Sequence, residues 1–336
     1  MTQQLGMALI GAGRIGVSHA GLIAAHPGAR LVAVVDAVPE AAEALAAKHA
    51  ATDGTVTMGL DAALADPAIG AVLIATSTDT HADLIERAAH AGKAILSEKP
   101  IDLSLERIDR CLSVVEATGA RLVVGLNRRF DPGIAALRAK LDAGAIGRVS
   151  QISIVNRDAH APPAAFLARS GGIFRDMALH DFDLACHLLG ESPVSVTADG
   201  NALADAGAAE VGDYDAAVAV LTMEGGARVV ITNARCARFG FDFRIEVLGS
   251  GGVLALGNTA SPVLMATESG LLRAAGPQTF FDRFETAFAR QFDAFLEVIA
   301  TGKAPSPTGA DGRRASAIAE AAAEAAASGR RIAISI

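Results

Sequence analysis

Met7 to Gly16 reads MALIGAGRIG, and this decapeptide decides how the first third of the chain folds. Four apolar residues make a short strand, GAGRIG matches G-x-G-x-x-G, and a helical stretch follows to about Ala25. Gly11 permits the tight turn, Gly13 lets backbone approach a pyrophosphate, and Gly16 allows the helix to pack on the strand. The helix start at Arg14, Ile15 and Gly16 then offers unpaired N–H groups to phosphate.

Outward from there the rhythm repeats. Leu31–Val35 is a second apolar strand ending in Asp36, and Ala71–Ala75, Ala94–Ser97 and Arg121–Gly125 are further strands. Helical segments at Ala41–Ala50, His81–Ala91 and Leu105–Ala117 separate them, which predicts βαβ units and a doubly wound parallel sheet. Asp36 stands 20 residues after Gly16. Its carboxylate suits the ribose hydroxyls and repels a 2′-phosphate, and Ala37 adds no cation, so the expected cofactor is NAD rather than NADP. Such sheets bind ligands at the carboxyl ends of their strands. Thr76, Ser77, His81, Glu98 and Lys99 therefore complete the expected cofactor-binding set, and Pro100 fixes the backbone beside Lys99.

The chain has 336 residues, 51% of them hydrophobic and 20% charged, which predicts two soluble domains. A net charge of −8 with no basic run of five residues argues against nucleic-acid or anionic-membrane partners. Cys111, Cys186 and Cys236 form no C-x-x-C pair, so they provide no zinc framework and fit a reducing compartment. With no signal-peptide pattern at the start and no apolar run near the roughly 20 residues needed to cross a bilayer, the expected location is cytoplasmic.

After residue 124 the texture changes. Val149–Asn156, Val194–Ala198, Ala216–Met223, Ala227–Asn233 and Phe243–Leu248 read as strands without intervening helices, which predicts an α+β domain (125–336) on an open, largely antiparallel sheet. Phe284, Phe288, Phe292 and Phe295 fall at helical spacing and read as core packing. GGIFRDMALHDFDLACHLLG, Gly171 to Gly190, reads as a helix on which Asp176, His180, Asp183 and His187 share one face. Acids and imidazoles on an otherwise apolar helix are costly to bury unless partners or a ligand satisfy them.

Removing hydride from a carbinol carbon requires a base for the hydroxyl proton, and the imidazole of His180 is suited to it. Asp176 can hold the imidazole or bond the hydroxyl, while Lys99 donates to the reacting oxygen. Hydride goes to nicotinamide, so no metal is expected. A short-chain Y-x-x-x-K mechanism is excluded, since the one tyrosine, Tyr214, is followed four residues later by Val218. Arg128, Arg157, Asp158 and Asp183 join Lys99, Asp176 and His180 as expected substrate groups. Such density suits a neutral polyol.

GAGRIG with Asp36, Glu98-Lys99-Pro100, GLNRRFD (Gly125–Asp131) and the D-x-x-x-H pair Asp176/His180 together resemble the Gfo/Idh/MocA oxidoreductases over nearly the whole chain. Within that family SGGIFRDMALHDFDLA and FGFDFRIEVLGSGG look nearest the inositol 2-dehydrogenase branch. The resemblance implies a lysine, an aspartate and a histidine acting on one secondary alcohol, and a homotetramer or homodimer formed through sheet faces. That branch tends to carry tyrosines where this chain has Phe239 and Phe241, and each lost hydroxyl in a buried site removes about 1 kcal/mol of bonding. Another inositol isomer, or a sugar oxidised to its lactone, stays open beside myo-inositol. A cofactor-binding sensor without activity is a further alternative, against which the retention of all three groups argues.

Overall fold

The computed structural model describes residues 4–238, 240–258, 264–267, 270–273, 277 and 279–336. It divides into two compact units, Met1–Leu126 with Ala289–Arg313, and Asn127–Phe288 with Arg314–Ile336. A single boundary after residue 124 leaves out the return of residues 289–313 to the first unit.

Six parallel strands build that first unit: β1 (Leu5–Ile10), β2 (Ala29–Val35), β3 (Val56–Thr57), β4 (Ala71–Ile74), β5 (Ala94–Ser97) and β6 (Leu122–Val124), in the order β3-β2-β1-β4-β5-β6. Helices α1 (Arg14–Ala25), α2 (Pro39–Asp53), α3 (Leu60–Ala65), α4 (His81–His90) and α5 (Leu105–Thr118) connect them. Apart from the two-residue edge strand β3, the strands are buried almost throughout, the pattern of a doubly wound sheet covered by helices on both faces. Met7, Leu9, Leu31, Val34, Leu73, Leu96 and Val123 are buried in its core, each such side chain contributing about 1.5–3 kcal/mol by leaving water.

The second unit carries α6 (Pro132–Asp142), β7 (Val149–Arg157), α7 (Ala164–Leu167), α8 (Gly172–Asp176), α9 (Leu179–Leu189), β8 (Pro193–Asn201), α10 (Ala206–Glu210), β9 (Ala216–Met223), β10 (Arg228–Ala234), β11 (Asp242–Gly249) and β12 (Gly252–Leu256). A hairpin of β13 (Leu264–Thr267) and β14 (Gly270–Arg273) precedes α11 (Phe280–Thr301), α12 (Gly309–Ser328) and β15 (Ile332–Ala333). The seven-stranded sheet runs β12-β11-β7-β10-β9-β8-β15. It is largely antiparallel, as the run of strands predicts, with β7 and β10 as its parallel neighbours.

Two helices depart from the expected pattern. The stretch 171–190 is broken: Met177 N and Ala178 N both donate to Ile173 O, at 3.0 and 2.9 Å. One carbonyl serving two amides shifts the helical register between Asp176 and His180, so the four polar residues do not share one helix face. In α11, Phe284 leaves helical geometry at φ −115°, ψ 16°, and the phenylalanine stripe serves two cores. Phe292 and Phe295 lie in the core of the first unit, while Phe284 packs edge-on against Phe241 and Phe243 in the second.

Candidate active site

The cofactor end belongs to the first unit. Gly11 has φ +105°, and a Cβ there meets Ala75 O at 2.5 Å; a Cβ on Gly16 meets Gly11 O at 2.0 Å. Both glycines are forced by close backbone. Gly13 is different, since an added Cβ has nothing within 4 Å. Gly13 also opens α1 without a side-chain cap, so open space lies before helix-terminal N–H groups, the cradle a pyrophosphate requires. Of the flanking pair, Arg14 is exposed and Ile15 packs on the core. Asp36 Oδ2 accepts from Ala12 N at 2.6 Å and Oδ1 from Val38 N at 2.8 Å, which fixes the carboxylate beside the loop. These residues fit a dinucleotide.

At the neighbouring strand ends, Thr76 is half-buried, with its hydroxyl 2.7 Å from that of Thr80, and Ser77 is exposed. His81 is buried and sets both ring nitrogens against carbonyl oxygens, Nδ1 2.7 Å from Pro100 O and Nε2 3.1 Å from Thr76 O. It thereby joins the loop after β4 to the turn after Lys99. Glu98 Oε1 lies 2.8 Å from His19 Nε2, and Oε2 accepts from Lys99 N at 3.3 Å. Burial works to raise the Glu98 carboxyl, but the His19 hydrogen bond and the charges of His19, Lys99 and His81 outweigh it and hold the group below the usual range. The sequence reading missed His19, although its place three residues after the last motif glycine puts it one helical turn along.

Apart from Lys99, the residues expected to meet substrate belong to the second unit. His180 and Asp176 are half-buried, and Asp176 Oδ2 accepts from Arg235 Nη1 at 3.1 Å. Asp183 is buried in a two-pronged pair with Arg129, whose Nε donates to Oδ2 at 2.8 Å and whose Nη2 donates to Oδ1. Arg128 donates from Nη1 to Asp181 Oδ1 at 2.6 Å, and Asn156 and Asn233 donate to the other oxygen of Asp181 at 2.9 and 2.8 Å. Arg157 Nη1 donates to Asp242 Oδ2 at 3.3 Å, and the Asp158 charge contributes to stabilising the Arg128 cation. His187 lines a separate polar cavity of about 220 Å³ with Arg129, Arg138, Glu191 and Arg314. Phe241 is buried edge-on against Phe284 at 5.9 Å, and Phe239 lies outside the described residues.

Asp181, Arg235 and Asp213 escaped the sequence reading. Their partners lie 22 to 59 residues away, and helical spacing carries no signal for such pairs. Three cysteines are free, two of them buried. No described helix is long and apolar enough to cross a membrane.

A doubly wound sheet with a dinucleotide cradle, followed by an α+β unit with a half-buried acid and imidazole, defines a two-domain nicotinamide-dependent oxidoreductase. Residues 5–126 match the oxidoreductase family with an NAD-binding Rossmann fold, and residues 134–255 match the GFO/IDH/MocA C-terminal domain. The chain belongs to the Gfo/Idh/MocA family, and its cofactor is NAD. It is 47% identical to the inositol 2-dehydrogenase of Rhizobium meliloti (strain 1021), over 99% of this chain and 100% of that one. Its fold matches a myo-inositol dehydrogenase from Corynebacterium glutamicum ATCC 13032 with a TM-score of 0.92, at 35% identity over 99% and 100% of the two chains. The scyllo-inositol dehydrogenase from Lactobacillus casei with bound NAD(H) and scyllo-inositol gives 0.89, at 28% identity over 98% and 99%.

Proposed function

We propose that the chain oxidises one ring hydroxyl of an inositol to the ketone. The observation that carries this reading is full-length similarity to inositol dehydrogenases in a chain that keeps the open cradle at Gly13 together with Lys99, Asp176 and His180. Bound NAD supplies the hydride acceptor at its nicotinamide ring. His180 takes the hydroxyl proton, Asp176 holds the imidazole or the hydroxyl, and Lys99 donates to the oxygen as negative charge develops there. Arg157 and Asp158 take further ring hydroxyls, with Arg128 and Asp183 acting from within their pairs with Asp181 and Arg129.

The strand pairing supports assembly as a homotetramer or homodimer. Val155, Val218, Val220 and Val230 alternate with buried neighbours and so share the other face of the large sheet with Ser153, Thr222 and Thr232, a surface rich in β-branched residues that a second copy would cover. Free cysteines support a reducing, cytoplasmic setting.

Absorbance of NADH, followed with myo-, scyllo- and chiro-inositol and with glucose, galactose and xylose, tests the reading. An inositol is expected as the best substrate, and His180→Ala is expected to lower turnover by roughly 10² to 10⁴ while NAD still binds. Tight NAD binding without turnover on any of the six would reject it.

A further inference from the structure

Arg235 has 0% exposure and is among the largest fully buried side chains of the molecule. Its two terminal nitrogens reach different carboxylates: Nη1 donates to Asp176 Oδ2 at 3.1 Å and Nη2 to Asp213 Oδ2 at 3.3 Å. Asp213 Oδ1 in turn accepts from Ile173 N at 2.9 Å. The helix α8 runs only from Gly172 to Asp176. Asp213 therefore grips its first turn and Arg235 its last residue, and the bonds close into a ring through the helix.

Five residues cannot hold a helix in place by their own hydrogen bonds, so the position of α8 comes from side chains outside it. Directly after Asp176 the backbone shifts register at Met177 and Ala178, which leaves Asp176 without the support of a continuous helix. Arg235 is itself anchored by its backbone, whose N–H donates to Asp215 O at 2.8 Å. A planar guanidinium that spans two carboxylates fixes the direction of both, which a lysine ammonium does not reproduce.

We propose that Arg235 is a positioning residue for the oxidation: it fixes the orientation of the Asp176 carboxylate, and Asp213 fixes Arg235. The proposal rests on the assignment of Asp176 to the reaction. If the ring only neutralised buried charge, its loss would lower stability and leave turnover per folded molecule unchanged.

The test uses the full-length enzyme with NAD and its best inositol substrate. Arg235→Ala and Arg235→Lys are expected to lower kcat by about 10²-fold, because an ångström of misplacement costs that much. NADH binding, read from cofactor fluorescence, is expected to stay within about twofold, since the contacts that hold phosphate are not touched. Added guanidinium is expected to restore Arg235→Ala by about tenfold, and urea is not. Asp213→Asn keeps an oxygen for Ile173 N and provides a folded variant if the arginine substitutions do not fold; its kcat is expected to fall about tenfold. Asp176→Asn separates the two claims. Normal turnover in that variant would remove the catalytic assignment and the proposal with it. An inactive Asp176→Asn beside wild-type kcat in folded Arg235→Lys and Asp213→Asn overturns the positioning role alone. Loss of thermal stability in Arg235→Ala with no guanidinium rescue also overturns it.

Discussion

His19 Nε2 lies 2.8 Å from Glu98 Oε1, which ties the helix that begins at the glycine loop to the strand end that carries Lys99. The imidazole is buried, with only 4% of its side chain exposed. Displacement of α1 on cofactor binding would act on Glu98 and, through its second oxygen, on the Lys99 amide. Two hydrogen bonds through Glu98 thus join the helix after the cradle to the Lys99 backbone, although 79 residues separate His19 from Glu98 in sequence.

This pair predicts a pH signature in stability. Folding lowers the Glu98 pKa from the ordinary 4.5, despite burial, through the His19 bond and nearby positive charge. A carboxylate with a depressed folded value stabilises the native state above its unfolded pKa, and that contribution disappears as pH falls through the folded value. Thermal unfolding of the wild type is therefore expected to drop on acidification below about pH 4.5 by more than that of Glu98→Gln, which has no such proton to take up. Parallel Tm curves for the two proteins over that range would show that the pair carries no linkage.

The glycine loop predicts opposite outcomes at neighbouring positions. Gly16→Ala places a methyl 2.0 Å from Gly11 O, against backbone that cannot move aside. Its stability is expected to fall by about 2 kcal/mol or more. Gly13→Ala meets nothing within 4 Å, so its Tm is expected to match wild type while NAD affinity drops about tenfold, about 1.4 kcal/mol. Calorimetry and NADH fluorescence on the two variants check this, and equal loss of stability in both would contradict it.

The first unit was legible because its signals are local. A strand, GAGRIG and Asp36 lie within thirty residues, and turn chemistry alone identifies them. The second unit was legible in part. The helix after Asp131 carried readable signals, an Asp N-cap and Pro132 at its first position, that the strand pattern overshadowed. Composition gave no sign that Ile173 O takes two amides, in a short helix whose Ile173 N is bonded to Asp213 forty residues away. The parallel pairing of β7 with β10 was equally out of reach: strand order is set by packing across the sheet, and alternating residues look alike in either direction.

Asp36 predicts the cofactor preference and its limit. The carboxylate accepts from Ala12 N and Val38 N beside the glycine loop, where the expected ribose hydroxyls would meet it. Asp36→Ser keeps an acceptor but removes the charge that repels a 2′-phosphate. Kd for NAD is expected to rise about tenfold, and the preference for NAD over NADP to narrow by more than that, because both changes act in the same direction. Competition between the two cofactors on the variant, read by NADH and NADPH fluorescence, measures it. An unchanged ratio would assign the preference elsewhere.

The last prediction concerns the residue directly after His180. Asp181 has 0% exposure and takes three donors, Arg128 at 2.6 Å, Asn156 at 2.9 Å and Asn233 at 2.8 Å. Arg128 lies 4.9 and 5.1 Å from the ring centres of Phe243 and Phe284. Burial pushes the Asp181 carboxyl up, with the Arg128 charge and the amide bonds drawing it back, and burial likewise depresses Arg128. Each partner therefore depends on the other to remain charged out of water. Removing either one, as in Asp181→Ala or Arg128→Met, leaves an unmatched buried charge and is expected to cost about 3–5 kcal/mol. The double variant is expected to cost less than the sum by about 2 kcal/mol or more. It still loses stability, because the Asn156 and Asn233 amides lose their acceptor, at about 1–3 kcal/mol for each. Urea unfolding of the four proteins gives the coupling directly, and additive losses would mean that the pair does not hold α9 against the sheet.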